Sequence, residues 1–97
     1  LHPAKGKADV IAVTNEFMGD FTMKFTLKSD LGELAQLPVS VFLDNIHKMT
    51  VSVQGTNGKW VEESRILNMG FGHNHYIKFY YGADNLEIKE IVLIPNR

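Results

Sequence analysis

The fold is decided by residues 72–95, which read GHNHYIKFYYGADNLEIKEIVLIP. Two runs typical of β-strands flank a four-residue polar turn at 82–85. In the second run, apolar and polar residues alternate up to Ile88, and the apolar positions change parity from Ile91 onward. A strand that exchanges its faces needs a β-bulge, or it must pass from the environment of one sheet to that of another. This stretch therefore predicts an all-β sandwich, with the chain ending inside a sheet.

Alternation with a period of two recurs along most of the chain. It is clearest at 21–28, FTMKFTLK, where every second residue is apolar. A strand with one apolar and one polar face is typical of an antiparallel sheet, because parallel sheets are usually buried on both faces. Further strands are predicted at 10–14, 39–43, 48–54 and 60–67. Seven or eight short strands and no helix predict an antiparallel two-sheet β-sandwich, either jelly roll or immunoglobulin-like.

The connections between these strands contain turn-forming residues. Asp44-Asn45 separates two predicted strands, and Asn57-Gly58 predicts a hairpin at 55–58 because this pair tolerates the positive φ of tight turns. Residues 29–38 break the alternation, so we expect a loop that crosses the core edge, with or without a 3₁₀ turn. The alternation assigns these residues to the core: Phe21, Met23, Phe25, Leu27, Val39, Val41, Met49, Val51, Ile77 and Phe79.

Length and composition indicate one globular domain. The chain has 97 residues, 44% of them hydrophobic and 22% charged, so we expect one domain over 1–97 with 1–8 as a flexible lead-in. The net charge of −1, with basic residues scattered singly, predicts no nucleic-acid partner. No apolar run approaches the length that crosses a bilayer, so no membrane insertion is expected. Because the sequence begins at Leu1, we expect a piece of a longer chain with neighbouring domains.

Metal and catalytic sites find little support in the sequence. Cysteine is absent, and His73 and His75 share a strand face but lack an identifiable third ligand. Metal-binding jelly-roll cupins follow such a pair with a glutamate at the places held here by Phe79 and Tyr80. We therefore expect loop or edge histidines and neither a metal nor a cofactor. No nucleophile elbow surrounds a serine, so no catalytic residue is assigned.

The tyrosines are the main candidates for binding. On the strand after residue 73, Tyr76 and Tyr80 share one face with Asn74 and Lys78, while the opposite face is apolar. Two exposed rings with a lysine and an amide beside them suit stacking on sugar rings. The alternative is an ordinary solvated sheet face, since tyrosine is common in strands.

Trp60 is the only tryptophan and the next candidate. It is either a core anchor, which sandwich folds often use, or an aromatic at the rim beside the 57–58 turn. We favour the core anchor, because large aromatic side chains dominate core energetics.

The final 60 residues resemble jelly-roll, galactose-binding-like carbohydrate-binding modules. Such modules close with a strand introduced by glycine, a short polar turn and a last strand of the form Ile-Asp-x-Ile-x-Leu before proline. Residues 72–81 are similar to the first strand, 88–95 are similar to the last, and 39–45 with 58–60 resemble the middle of these modules. Lys89 stands where the family carries an aspartate that often binds calcium, so the resemblance implies no calcium site here.

The resemblance places the jelly roll ahead of the immunoglobulin-like sandwich. It implies a non-catalytic carbohydrate-binding module of a larger secreted or cell-surface protein, with a polysaccharide or glycan as its partner. The binding residues would be Tyr76, Tyr80, Trp60, Asn74 and Lys78. The alternative is a structural or protein-interaction sandwich in a multidomain extracellular protein.

Overall fold

The computed structural model describes residues 1–14 and 19–96, which form two antiparallel sheets. The strands are β1 (Ala8–Thr14), β2 (Asp20–Lys28), β3 (Gln36–Leu43), β4 (Ile46–Gln54), β5 (Val61–Asn68), β6 (Asn74–Tyr81) and β7 (Glu87–Pro95). One sheet has the strand order β1-β6-β3-β4, and the other has the order β5-β2-β7. The predicted all-β, antiparallel two-sheet architecture is confirmed. Within the described ranges, no helix is long and apolar enough to cross a membrane.

The core lies between the two sheets and consists of the inward positions of both. In β2, buried apolar residues alternate with half-buried threonines and lysines along the whole strand. Of the ten predicted core residues, nine are buried and Met49 is half-buried against the others. The period-two assignment of strand faces is therefore confirmed.

The change of parity in the last strand is a β-bulge, which is one of the two explanations that the sequence leaves open. Between β2 and β7, Thr26 lies opposite Glu90 and Leu27 lies opposite Ile88, which leaves Lys89 as the extra residue. Ile88 is buried before the bulge, and Ile91 packs against the core after it. The extra residue reverses the parity of the inward positions, so both halves of β7 present apolar side chains to the core.

The hairpin predicted at 55–58 is wrong, because β4 and β5 belong to different sheets. Asn57 and Gly58 do have the expected positive φ, at 53° and 78°. Their backbone N–H groups, however, donate hydrogen bonds to the carbonyls of Leu31 and Ser29 rather than closing a hairpin. The turn residues set the local backbone shape, whereas contacts with the 29–31 loop direct the chain into the second sheet.

The polar turn at 82–85 also crosses between sheets. β6 pairs with β1 and β3, whereas β7 pairs with β2, so the two strands that resemble a closing hairpin do not pair with each other. Gly82 donates its N–H to the carbonyl of Pro38 at 2.9 Å, which holds the start of the crossing against β3. The short turn therefore connects the sheets at one end of the sandwich.

The loop between β2 and β3 is shorter than the predicted loop over residues 29–38. β3 already begins at Gln36, and the segment contains no 3₁₀ turn. Leu37 enters the core, whereas Leu31 and Leu34 are exposed, and the segment connects β2 in one sheet to β3 in the other, so the expected crossing at the core edge is confirmed. A turn closed by the N–H of Ala35 and the carbonyl of Gly32 lies beside these two leucines and sets their direction toward solvent.

Residues 1–7 precede β1 and form hydrogen bonds with the end of β6 and the following turn. Gly6 donates its N–H to the carbonyl of Tyr81, and Lys5 donates its N–H to Asp84. β1 begins at Ala8, two residues before the predicted start. The flexibility of this lead-in and the single-domain boundary stay predictions.

Candidate functional site

The outer face of the four-stranded sheet carries the two predicted tyrosines. Along β6 the inward residues are buried, whereas the outward residues are exposed or half-buried. The exposed fraction is 62% for Tyr76 and 44% for Tyr80, and four residues of extended strand separate their Cα atoms by about 13 Å. Asn74 and Lys78 lie on the same outward face. We call this face, with the residues opposite it on β1 and β3, the tyrosine surface.

The neighbouring strand β1 leaves the tyrosine rings open on one side. Ala12 lies opposite Tyr76, and Ala8 lies opposite Tyr80. A methyl group covers little of a neighbouring aromatic ring, so the faces of both rings are accessible to a planar ligand. At the end of β6, the Thr14 hydroxyl donates a hydrogen bond of 3.1 Å to Asn74 Oδ1, which holds the amide of Asn74 against β1.

On the other side of β6, an aromatic ring supports the lysine between the tyrosines. Phe42 lies opposite Lys78 in the β3–β6 pair, and Lys78 Nζ is 4.6 Å from the centroid of the Phe42 ring. A cation over the face of an aromatic ring is stabilised by the ring quadrupole. This contact holds the ammonium group over Phe42 on β3, while Lys78 itself lies between Tyr76 and Tyr80 along β6.

Phe42 and His47 extend the tyrosine surface and were not selected from the sequence. A bulge at Lys48 places His47 opposite Phe42, and the two rings meet edge-on with centroids 5.3 Å apart. His47 Nε2 also lies 3.0 Å from the hydroxyl of Thr50. The sequence does indicate that Phe42 faces outward, because Phe42 alternates with the apolar residues of β3 that are buried.

Trp60 does not belong to the tyrosine surface. It lies just before β5, beside the three-stranded sheet, and its side chain is 44% exposed, so the preference for a core anchor is wrong. Trp60 has the parity of Glu62 and the other exposed residues of β5. The ammonium groups of Lys28 and Lys89 lie 4.9 and 5.4 Å from the centroid of the ring, and these contacts stabilise Trp60 outside the core.

A histidine–aspartate pair lies beneath one end of the tyrosine surface, with the His75 ring buried and the Asp44 side chain partly exposed. His75 Nδ1 is 2.6 Å from Asp44 Oδ2, and His75 Nε2 is 3.1 Å from the carbonyl oxygen of Gly72. An ionised Asp44 and the carbonyl of Gly72 are both acceptors, so this arrangement favours the protonated form of His75, in which both ring nitrogens donate. The expectation of loop or edge histidines is wrong for His75, which is buried on the inward face of β6 between β1 and β3.

The pKa values of this pair shift in opposite directions. The hydrogen bond with Asp44 raises the pKa of His75. The hydrogen bond from His75, followed by the one from the backbone N–H of Tyr76, lowers the pKa of Asp44. Asp44 also donates its own N–H to the carbonyl of Tyr76 at 2.9 Å. The β3–β4 turn is therefore tied to the backbone of one of the candidate binding residues.

Structural comparisons identify the fold to which this site belongs. No protein-family model and no curated protein matches the chain. A family 35 carbohydrate-binding module from an environmental isolate superposes with a TM-score of 0.80 at 12% identity, covering 96% of this chain and 69% of that one. The C-terminal family 6 module of the laminarinase LamC from Zobellia galactanivorans gives 0.80 at 17% identity, covering 94% and 74%. The chain has the jelly-roll fold of carbohydrate-binding modules.

A third neighbour shows this fold inside a much longer protein. A β-glucosidase from Paenibacillus barengoltzii superposes with a TM-score of 0.69 at 26% identity over 88% of this chain. The matched region is 9% of that enzyme, so the chain corresponds to a small part of it.

Lys89 stands at the position in β7 for which the sequence resemblance implies no calcium site. Lys89 is the bulged residue of β7, and its ammonium group faces the ring of Trp60. Across residues 1–14 and 19–96, no three histidine, aspartate or glutamate side chains are arranged to hold a metal ion.

One further exposed aromatic lies at the β5–β6 end of this jelly roll. Phe71 is 89% exposed between Gly70 and Gly72, both of which have positive φ. The loop is anchored on either side, because Met69 is buried and the carbonyl of Gly72 bonds His75. The sequence marks these residues as a glycine-punctuated loop but does not single out Phe71.

Proposed function

We propose that this chain is a non-catalytic carbohydrate-binding module of a larger secreted or cell-surface protein, which binds glycan on the tyrosine surface. The observation that carries the proposal is the pair of exposed rings, Tyr76 and Tyr80, on one sheet face of a carbohydrate-binding-module fold. Asn74 and Lys78 supply polar contacts beside the rings. Neighbouring domains are the remaining partners, and no nucleic acid or membrane insertion is involved.

The energy of such binding comes mainly from stacking. Hydrogen bonds between sugar hydroxyls and the protein largely replace hydrogen bonds to water, so each contributes modestly. An exposed tyrosine ring that stacks on the apolar face of a sugar removes apolar surface from water on both partners. Two exposed tyrosines whose Cα atoms are about 13 Å apart suit an extended oligosaccharide that contacts both, rather than a single monosaccharide.

Trp60 and Phe71 lie apart from the tyrosine surface. Trp60 lies by the other sheet with lysines over its ring, and Phe71 lies on a loop at the end of the sandwich. The proposal therefore places the main site on β6 and treats these two rings as distinct positions for mutation.

The test is a glycan array probed with the isolated chain, followed by calorimetry on the glycans that bind. Tyr76→Ala and Tyr80→Ala should each weaken binding by about tenfold, the effect of losing one stacked ring. Trp60→Ala is the matched control, since it removes an aromatic ring of similar exposure from the other sheet and should leave the affinity unchanged. Thermal melts of all three variants should stay close to that of the unmodified chain.

Two results would contradict the proposal. If no glycan on the array binds, the carbohydrate function is wrong. If both tyrosine variants unfold, the tyrosines are needed for folding and the proposed binding surface is wrong. If the affinity falls only in Trp60→Ala or Phe71→Ala, the site lies elsewhere on the molecule.

The competing function is a structural or protein-interaction sandwich. The outer face of the three-stranded sheet favours it, because Ile66, Val92 and Ile94 are exposed there. Under this alternative no glycan on the array binds. Replacing these residues by serine would then change the affinity for a neighbouring domain.

A further inference from the structure

Lys24 and Lys28, on the outer face of the three-stranded sheet, each form an ion pair, whereas no ion pair of the described residues involves Lys89, which contacts the Trp60 ring. On the three-stranded sheet, Lys28 Nζ lies 3.0 Å from a carboxylate oxygen of Glu87, and Lys24 Nζ lies 4.0 Å from one of Glu62. Each of these lysines therefore has an acidic partner on an adjacent strand. A cation that is paired in this way has little charge left to offer a ligand.

Lys78, on the tyrosine surface, has no such partner. Its neighbours on the adjacent strands are Val10 and Phe42, and within the described part of the chain no carboxylate lies at ion-pair distance from Lys78. The nearby acids are engaged elsewhere, because Asp9 accepts a hydrogen bond from Tyr81 and Asp44 accepts one from His75.

The remaining outward residues of the four-stranded sheet do not supply a negative charge either. From β1, β3 and β4 they are Ala8, Val10, Ala12, Thr14, Gln36, Pro38, Ser40, Phe42, His47, Thr50, Ser52 and Gln54. None of these is acidic, and the bulge beside them adds a further exposed cation, Lys48. The face is thus uncharged except for cationic groups.

The position of Lys78 between the two tyrosines also suits contact with a bound glycan. It lies two residues from each tyrosine, so its Cα is about 7 Å from both along the strand. The Phe42 ring holds the ammonium group, which reduces the side-chain entropy that would be lost on binding. A sugar chain that spans both tyrosines would pass Lys78 on β6, with the ammonium group beside it over Phe42 of the adjacent strand.

We propose that the glycan bound by the tyrosine surface is anionic, and that Lys78 binds the charged group of a sugar residue lying between Tyr76 and Tyr80. The inference rests on the proposed carbohydrate function and deepens it. A carboxylate and a sulfate ester share the required chemistry, since both accept charge-assisted hydrogen bonds from an ammonium group.

The test compares charged oligosaccharides with their neutral counterparts. The probes are oligosaccharides of polygalacturonate, alginate and glucuronoxylan, each with its carboxyl-reduced form, and carrageenan oligosaccharides with their desulfated form. At least one charged probe should bind about tenfold more tightly than its neutral form at low salt, and the difference should shrink as salt increases. The carboxylate and sulfate arms identify which anion is bound.

Variants of Lys78 separate charge from shape. Lys78→Met keeps an unbranched side chain against Phe42 and should reduce the affinity for the charged probe to that for the neutral probe. Lys78→Arg keeps the charge and should retain the preference. Lys24→Met, on the outer face of the other sheet, is the matched control and should change neither affinity.

The outcomes separate this inference from the proposed function. If neutral and charged probes bind equally, and Lys78→Met changes neither affinity, the anionic specificity is wrong while carbohydrate binding stands. If no probe and no glycan of the array binds, the carbohydrate function is wrong and the inference falls with it.

Discussion

Tyr80 and Tyr81 are neighbours in β6, yet the first ring is 44% exposed and the second has no exposed surface. Tyr80 lies on the tyrosine surface, whereas Tyr81 packs in the core and donates its hydroxyl to Asp9 Oδ2 at 2.7 Å. Burial, followed by this hydrogen bond, raises the pKa of Tyr81 far above its ordinary value. Burial also acts to raise the pKa of Asp9, but hydrogen bonds from Tyr81 and from the N–H of His2 outweigh it, so that the pKa of Asp9 is lowered.

The two faces of β6 thus use similar residues for different purposes. The inward face contributes Ile77, Phe79 and Tyr81 to stability, and the outward face leaves Tyr76 and Tyr80 accessible. The division between buried and exposed aromatic residues on this strand follows side-chain parity and not residue type. Each prediction below tests one part of that division.

The largest effect is expected from the core. Phe79→Ala should lower the free energy of unfolding by about 3–5 kcal/mol, because it removes a buried aromatic side chain and leaves a cavity. Urea titration measures the change, with Tyr76→Ala on the outward face as the control, for which we expect a change of about 0.5 kcal/mol or less. Equal losses in both variants would show that the two faces are not functionally distinct.

A smaller effect is expected from removing only the hydroxyl of the buried tyrosine. Tyr81→Phe should cost about 1–3 kcal/mol, because the bond to a charged acceptor is lost. It should also raise the pKa of Asp9, which NMR titration of that carboxyl measures. Tyr80→Phe is the control and should alter neither quantity. An unchanged Asp9 titration in Tyr81→Phe would contradict the hydrogen bond.

The ion pair on the inward face predicts a pH dependence of stability. The pKa of Asp44 is lowered, so its contribution is present above the ordinary value of 3.8 and is lost as pH falls through the folded-state pKa. The pKa of His75 is raised, so its contribution is fully present below 6.5 and is lost as pH rises through the folded-state pKa. The stabilisation from this pair should therefore be greatest between these two ordinary values.

Thermal melts from pH 3 to pH 9 measure this dependence. His75→Gln should flatten the loss of stability on the alkaline side, whereas His47→Gln on the outward face should leave that loss in place. Equal pH profiles for the unmodified chain and His75→Gln would show that the pair does not couple protonation to stability.

The smallest effect is expected from chelation. Neither the histidine pair nor the last strand offers a complete set of metal ligands, so melting curves with and without EDTA should coincide. A fall of several degrees with EDTA, reversed by added calcium or zinc, would show a structural metal site and contradict this prediction.

Much of the fold was predictable because alternation is a local property. Side chains of a strand point to opposite faces with a period of two, so the core of β2 and the outward tyrosines of β6 could be assigned without knowing any strand pairing. The change of parity in β7 was visible for the same reason, but only the pairing with β2 shows that a bulge at Lys89 causes it. Trp60 was misassigned because size was given more weight than its parity with Glu62.

The residue pattern by itself determined the strands, their inward and outward faces and the change of parity in β7, because these follow from backbone geometry within a few residues. Tertiary structure alone decided that the turns at 55–58 and 82–85 cross between sheets. It also decided that Phe42 supports Lys78 and that Asp44 pairs with His75 across 31 positions of sequence. Turn residues restrict φ and ψ locally, but the partner of the next strand depends on which distant apolar face it can cover.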